Sequence, residues 1–425
     1  MKNRRHFLQS FAVGVAGASM ACSPGIADAG RPSFPPDGDP GDEEFWEAVR
    51  GQYPLTRERG YMNTGGLGPA PYSVVDAYTS MIWEMERISE HGHSRIEGVR
   101  EAAARFFGVE ASEIAFTRNA TEGNSTVASG LALKAGDEVI FESHAHPGGA
   151  MAWMTRQKEH GIRVRIFEPD PNSAEVNLQR IADLINPRTR VIQVSHITAP
   201  TGIRLPVDAI ASLARDKGIW FHIDGAQSAG AIPVDLRSIG CDSYATSGHK
   251  WMGAPHGTGI LYIRHDRLGD VVPTEVGAYS NSEFELPAVF DYVDSAQRYE
   301  CGTRDVSSVV GIEKAIEFLE FIGMSRVQDR GRQLARHLQD GLREIEGVQI
   351  LSPVNDELGT AMTTIKVAGT KYDDLYRLLA GEDYRLRCRI VTERGLDAVR
   401  ISTHIFNSFD ECDRAIAGAR KAASK

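Results

Sequence analysis

Between Ile114 and Arg264, short runs rich in β-branched and aromatic residues alternate with longer stretches whose apolar residues recur at helical spacing. The short runs read EIAFT, DEVIF, RVRIF, RVIQVSHI, IWFHID and GILYIR, with amphipathic runs to Leu133, through Trp153 and over 207–217 between them. Apolar strands joined by crossover helices predict a mostly parallel, doubly wound α/β sheet, because both faces of such strands must be covered. Ligands of these sheets gather at the carboxyl ends of the strands. Upstream, 73–90 and 94–107 carry helical spacing, preceded by the turn-rich stretch Asn63-Thr64-Gly65-Gly66-Leu67-Gly68-Pro69. Past about residue 295 the pattern changes to a long helical run at 306–344, strands VQIL and TTIKV, a helix at 371–380, a strand pair around 386–402 and a last helix from Asp410. The expected division is therefore an N-terminal segment with a large α/β domain over 43–295 and a smaller α+β domain over 296–425.

The first residues follow a different grammar. Arg4-Arg5, the mildly apolar run Phe11 to Ala21 and the small-x-small triplet Ala27-Asp28-Ala29 fall in the order of a twin-arginine export signal. The apolar run is too short to anchor in a bilayer. Residues 1–29 are thus expected to be cleaved after Ala29, leaving a periplasmic or secreted protein, and the Pro-, Gly- and Asp-rich stretch 30–42 reads as a linker. Cys22 follows Ser19-Met20-Ala21 rather than a Leu-Ala-Gly type of sequence, which speaks against lipid attachment. Twin-arginine export carries proteins already folded, and a cofactor loaded before export is a common reason for it.

Composition narrows the class. At 425 residues, with 42% hydrophobic and 24% charged residues, the chain can build a large core and two domains. Residues 1–29 hold Lys2, Arg4 and Arg5 against Asp28 alone, so losing them makes the net charge of −10 two units more negative. Such a surface repels nucleic acid and anionic membranes, which excludes both as expected partners. Cys241, Cys301, Cys388 and Cys412 show no CxxC pairing, so neither a metal site nor a disulfide framework is expected.

Five local patterns carry chemistry. In Thr246-Ser247-Gly248-His249-Lys250-Trp251 a lysine sits in a polar, glycine-bearing turn. A lysine alone is usually a solvated surface charge. Desolvated in a cleft, it forms Schiff bases with carbonyls, as the lysine of pyridoxal-5′-phosphate (PLP) enzymes does. Phe221-His222-Ile223-Asp224-Gly225-Ala226-Gln227 ends an apolar strand on an aspartate. A carboxylate there can keep a pyridine nitrogen protonated, which the electron sink of PLP requires, and Gln227 can donate to its phenolate oxygen. Thr117-Arg118-Asn119-Ala120-Thr121 opens a helix directly after a strand, so free N–H groups at Ala120 and Thr121 can cradle a phosphate, with Ser247 and His249 closing the other side. In Ser143-His144-Ala145-His146-Pro147 one of two imidazoles can stack on a cofactor ring. Arg400, entering a strand of the small domain, offers a planar fork for a carboxylate.

Together these residues resemble the class V aminotransferase family of fold-type I PLP-dependent enzymes, which includes isopenicillin N epimerase-like proteins and cysteine desulfurases. The resemblance runs from Tyr61-Met62-Asn63 to Ser402-Thr403-His404, and its most specific part is DGAQSxG followed by SGHKW. It implies a Schiff base on Lys250, Asp224 at the pyridinium, Gln227 at the phenolate, phosphate ligands at Ala120, Thr121, Ser247 and His249, and Asn63 with Arg400 at the substrate. It also places the stacking histidine seven positions before a tryptophan, which from Trp153 selects His146 over His144. A homodimer with shared active sites is implied, as is an amino acid or amino-acid conjugate as substrate, undergoing transamination, epimerisation or C–S β-elimination. Thr198-Ala199 stands where desulfurases have a cofactor-contacting Asn. Desulfurases carry their nucleophilic Cys on a flexible loop, whereas Arg387-Cys388-Arg389-Ile390-Val391 is strand-like, so Cys388 is expected to be structural. The alternatives to keep are a cysteine desulfurase and an exported binding protein that retained the fold without catalysis.

Overall fold

A computed structural model describes residues 39–424. The expected signal segment 1–29 and most of the linker 30–42 lie outside the described residues.

The main sheet has seven strands: β1 (Ile114–Thr117), β2 (Glu138–Glu142), β3 (Arg163–Phe167), β4 (Thr189–Ser195), β5 (Trp220–Asp224), β6 (Ser243–Ser247) and β7 (Gly259–Ile263). Their spatial order is β1-β7-β6-β5-β4-β2-β3, and all run parallel except β7, which is antiparallel to both neighbours. Alternation along the strands feeds two cores. Val139 and Phe141 of β2 face one and Ile140 the other; Leu261 and Ile263 of β7 oppose Ile260 and Tyr262. That period of two explains why these strands read as continuous apolar runs.

β6 was not legible as a strand, because SYATS is polar and, Tyr244 apart, small, yet all five residues are buried. The reason is close packing: helix Ala120–Gly130 lies on it so tightly that a Cβ on Gly123 would stand 2.8 Å from the Ala245 Cβ. Helix Ala174–Leu184 and the hairpin Asn281–Glu285 with Val289–Tyr292 also escaped the sequence pattern.

The second sheet joins β8 (Val348–Ile350), β9 (Met362–Val367), β10 (Arg389–Val391) and β11 (Ala398–Ser402) in the order β8-β9-β11-β10, all antiparallel. The helical run expected at 306–344 is two helices, Val306–Ile322 and Met324–Arg343, broken at Gly323 with φ +88°. The first packs into the core of the large sheet, as does Val327 of the second, while Leu334, Leu338 and Leu342 belong to the second core. The two cores are not divided at one point of the chain, since Met62 belongs to the second and Met362, Ile405 and Phe406 to the first. Among the described residues no helix is long and apolar enough to cross a membrane.

Candidate active site

The carboxyl ends of the parallel strands converge on a cavity of about 250 Å³, lined among others by Thr121, His146, Asp224, Lys250 and Arg400. Lys250 follows β6 by three residues and is 9% exposed. Burial lowers its pKa to about 8, the Arg400 and Arg389 charges press the same way, and Asp224 opposes them. Its loop is fixed by backbone bonds from Gly248 N–H to the Thr258 carbonyl and from Ala254 N–H to the Gly248 carbonyl. The turn at 63–69 then closes over it, with Gly68 N–H donating to the His249 carbonyl at 2.9 Å. A Cβ on Gly68 would collide with the Lys250 carbonyl oxygen, so this turn is glycine-rich because two backbones meet there.

Asp224 ends β5 at the floor of the cavity. Its Oδ1 accepts from Ala226 N–H at 3.0 Å and its Oδ2 from Asn124 Nδ2 at 3.0 Å. Behind Asn124 runs a chain of buried groups: Asn124 Oδ1 with His222 Nε2 at 2.8 Å, His222 Nδ1 with Ser243 Oγ at 2.7 Å, and Ser243 Oγ with Trp220 Nε1 at 3.0 Å. Indole N–H only donates, so the Ser243 hydroxyl proton points to His222 Nδ1 and the imidazole proton to Asn124. Complete burial pushes the His222 pKa down to about 3, which keeps the ring neutral. Every proton in the chain is thereby aimed at Asp224.

Gln227 is oriented by the same logic. Trp251 Nε1 donates to its Oε1 at 2.7 Å, which turns Nε2 toward the Gly65 carbonyl at 2.8 Å and leaves its second proton on the cavity side.

At the opposite end, helix Ala120–Gly130 points its first turn into the cavity, capped by Asn119 Oδ1 on Glu122 N–H at 3.0 Å. The Ala120 N–H is taken by Ser247 Oγ at 3.0 Å, so of the expected anion donors the Thr121 amide and the Ser247 hydroxyl proton remain for a ligand. Thr121 Oγ1 crowds Gly148 so closely that a Cβ there would overlap it. His249 Nδ1 lies 3.1 Å from the Thr258 carbonyl and donates to it, so its Nε2 offers a proton to an anion only when the ring is charged; burial pulls its pKa down.

The structure separates the two candidate histidines. His146 lines the cavity and caps helix Pro147–His160, its Nδ1 accepting from Gly148 N–H at 3.0 Å; burial and then Lys250 lower its pKa. His144 is occupied elsewhere, with Nδ1 on Thr201 at 2.9 Å and Nε2 against Glu168 at 3.3 Å.

Arg400 on β11 is 1% exposed; its terminal nitrogens donate to the Ala199 carbonyl and, at 3.3 Å, to Asn63 Oδ1. Burial, and then Arg389, lower its pKa to about 9. Asn63, expected at the substrate, therefore stands behind the arginine as its positioner and is not among the cavity lining, because the isolated bridge it forms with Ser402 draws it under β11. The expected departure at Thr198-Ala199 is visible as well: the Ala199 carbonyl serves Arg400, and Thr198 Oγ1 is bound to Thr201 at 2.9 Å. Cys388 is fully buried in the second core, away from the cavity, and burial pushes its thiol up to about 12.

Three site residues were missed in the sequence. Asn124 lies four positions after Ala120 and so on the same helical face, and His222 lies two before Asp224 on one side of β5; both spacings were available. Arg389 was hidden, since only the pairing of β10 with β11 brings it to the cavity. Among the described residues no cluster of His, Cys, Asp and Glu could hold a metal ion.

Comparison with known proteins places this arrangement. The family described as Aminotransferase class-V matches residues 73–414. Isopenicillin N epimerase from Streptomyces clavuligerus is 30% identical over 384 residues, covering 87% of this chain and 96% of its own. A probable cysteine desulfurase from Methanothermobacter thermautotrophicus is 30% identical over 311 residues, covering 71% of this chain and 77% of its own. Among solved structures, the cystine C–S lyase C-DES superposes with a TM-score of 0.80 at 26% identity, covering 87% of this chain and 100% of its own; a mutant of it carries glycine covalently linked to its PLP cofactor.

Proposed function

The chain belongs to the class-V aminotransferase family of PLP-dependent enzymes, and from that premise we propose that it acts on the amino group and α-carbon of an amino acid or amino-acid conjugate, with Lys250 as the residue that binds the cofactor and moves the α-proton. PLP, bound through its aldehyde, supplies an electron sink for charge developing at the substrate α-carbon. The cavity suits it at each end: an orphaned Thr121 amide and a Ser247 hydroxyl proton for the phosphate, and Asp224 with its aligned donors for the ring nitrogen. Lys250 lies between them, amid burial that frees its amine at mildly alkaline pH.

The chain's own residues divide the work. Gln227 presents its remaining Nε2 proton to the phenolate side, held there by Trp251. His146 covers the cavity at the head of its helix, and its Nε2 is the ring nitrogen left to face a ligand. His249 closes the phosphate end, and an anion there draws the second proton onto its ring. Arg400, steadied by Asn63 and the Ala199 carbonyl, orients the substrate through its α-carboxylate, which puts the α-hydrogen within reach of Lys250. Transamination, epimerisation and C–S β-elimination share these steps and differ only in where the proton or leaving group goes afterwards. A persulfide relay through Cys388 is disfavoured by its complete burial outside the cavity.

The observation that carries this reading is the placement of Lys250 and Asp224 in one cavity with the first turn of helix Ala120–Gly130. Purified protein reconstituted with PLP should be yellow and change colour with an amino acid. Lys250→Ala, folded alike by circular dichroism, should lose covalent cofactor attachment and turnover. Wild-type protein that stays colourless after refolding with excess PLP would sink the reading. We further propose that the enzyme is exported by its twin-arginine segment and works as a homodimer whose subunits complete each other's sites.

A further inference from the structure

The register of β10 and β11 sets Arg389 directly opposite Arg400. Side chains of such a cross-strand pair leave the sheet on one face with Cβ atoms about 5 Å apart, and like charges placed there repel. Both guanidiniums also line the same cavity, which makes their pairing costly unless an anion joins them. Their surroundings differ. Arg400 spends its terminal nitrogens on Ala199 and Asn63. Arg389 has Nη2 on Glu393, whose carboxylate is fixed by Thr392 N–H at 3.0 Å, while its Nη1 is buried with no partner. The cavity lining thus sets Lys250, Arg389 and Arg400 against the one carboxylate of Asp224, with Glu393 paired to Arg389 from outside the lining. Once the α-carboxylate of an amino acid is assigned to Arg400, one guanidinium with an unused, buried N–H remains. A buried donor left unmade is expensive, so the site is built for a ligand that satisfies it.

We propose, building on the amino-acid reading above, that Arg389 receives a second carboxylate and that the preferred substrates are amino acids whose side chain ends in one. Glu393 then sets the direction of the Arg389 fork, so that Nη1 faces the cavity while Nη2 stays paired. The alternative, both arginines closing on one α-carboxylate, makes a different prediction.

The test is calorimetric binding of unreactive acids to the PLP-loaded enzyme, which reads recognition without turnover. Succinate and glutarate serve as dicarboxylates, butanoate and pentanoate as monocarboxylates of the same length. Wild type should favour at least one dicarboxylate over its length-matched partner by about tenfold to a hundredfold, the value of one charge-assisted pair. Arg389→Leu with Glu393→Gln, which leaves no unpaired charge, should erase that preference while monocarboxylate affinity stays within about threefold. Equal weakening of both classes would assign Arg389 to the α-carboxylate, and equal affinity in wild type would leave the second anion without support; either result overturns the inference while the cofactor reading stands. A wild type that takes up no PLP removes both.

Discussion

Lys250 is asked to be a nucleophile in a place that also holds two guanidiniums, and those two facts are one mechanism. A protonated amine cannot attack an aldehyde; burial and the Arg400 and Arg389 charges all favour the neutral form, and Asp224 limits how far they go. The pKa of about 8, against 10.5 for an unperturbed lysine, means that the neutral fraction rises as pH climbs to about 8 and levels off above it. Covalent uptake of PLP by the apoprotein, followed in the visible, should therefore accelerate tenfold per pH unit below 8 and plateau beyond. A midpoint near 10.5 would show that the lysine is solvated and that the cavity is not doing this. Replacing Arg389 by Gln removes one repelling cation, so the midpoint should move upward, not downward.

At the scale of elements, legibility followed burial on both faces. β2, β4, β5 and β7 announce themselves because each face of the sheet demands apolar side chains. β6 does not, since helix Ala120–Gly130 approaches the Ala245 face too closely for large residues, and Tyr244 on the other face is its one large side chain. The site divides the same way. Lys250, Asp224, Thr121 and Gln227 stand at or just past the ends of strands, where polar residues have little packing reason to be, and so were visible one by one. Asn124 and His222 were within reach of helix and strand spacing, whereas Arg389 depends on what lies across from it in space, and a string of residues does not contain that. One such long-range device holds the elements around the site: buried Glu300 accepts from Arg100 Nη1 at 2.8 Å and from Phe116 N–H at 2.7 Å, while Arg100 also donates to the Ile114 carbonyl at 2.7 Å. This ties helix Ser94–Phe107 to edge strand β1, whose end launches the phosphate turn. Arg100→Leu leaves the buried Glu300 charge with Arg304 Nη1, at 3.7 Å, as its remaining ion partner, at a cost of up to about 3–5 kcal/mol in chemical denaturation. Adding Glu300→Leu should restore most of that stability, because the cost comes from the under-paired buried charge and not from the loss of the pair; a double variant as unstable as the single would refute this account.

The whole molecule exposes apolar surface that a solitary chain has no use for. Trp83 is 68% exposed on helix Tyr72–Ile88, Met151 63% on the helix headed by His146, and Phe284 and Leu286 66% and 77% at the hairpin. Single exposed apolar residues are ordinary, but several large ones this exposed, two of them in one hairpin, are a usual mark of an interface. Two of these elements lead into the cavity region: the Met151 helix begins at His146, and Thr274 and Glu275, a few residues before the hairpin, line a neighbouring space shared with Thr121 and Glu122. The proposed homodimer therefore predicts more than a mass. Sedimentation should give two chains per particle, and Phe284→Ser with Leu286→Ser should shift the equilibrium toward one. If the partner completes the phosphate end, the dissociated variant should also lose PLP on dialysis faster than wild type, with Lys250 and Asp224 intact. Dissociation with unchanged cofactor retention would mean that the dimer is merely adjacent to the site, and a wild type that sediments as a single chain at high concentration would remove the dimer altogether.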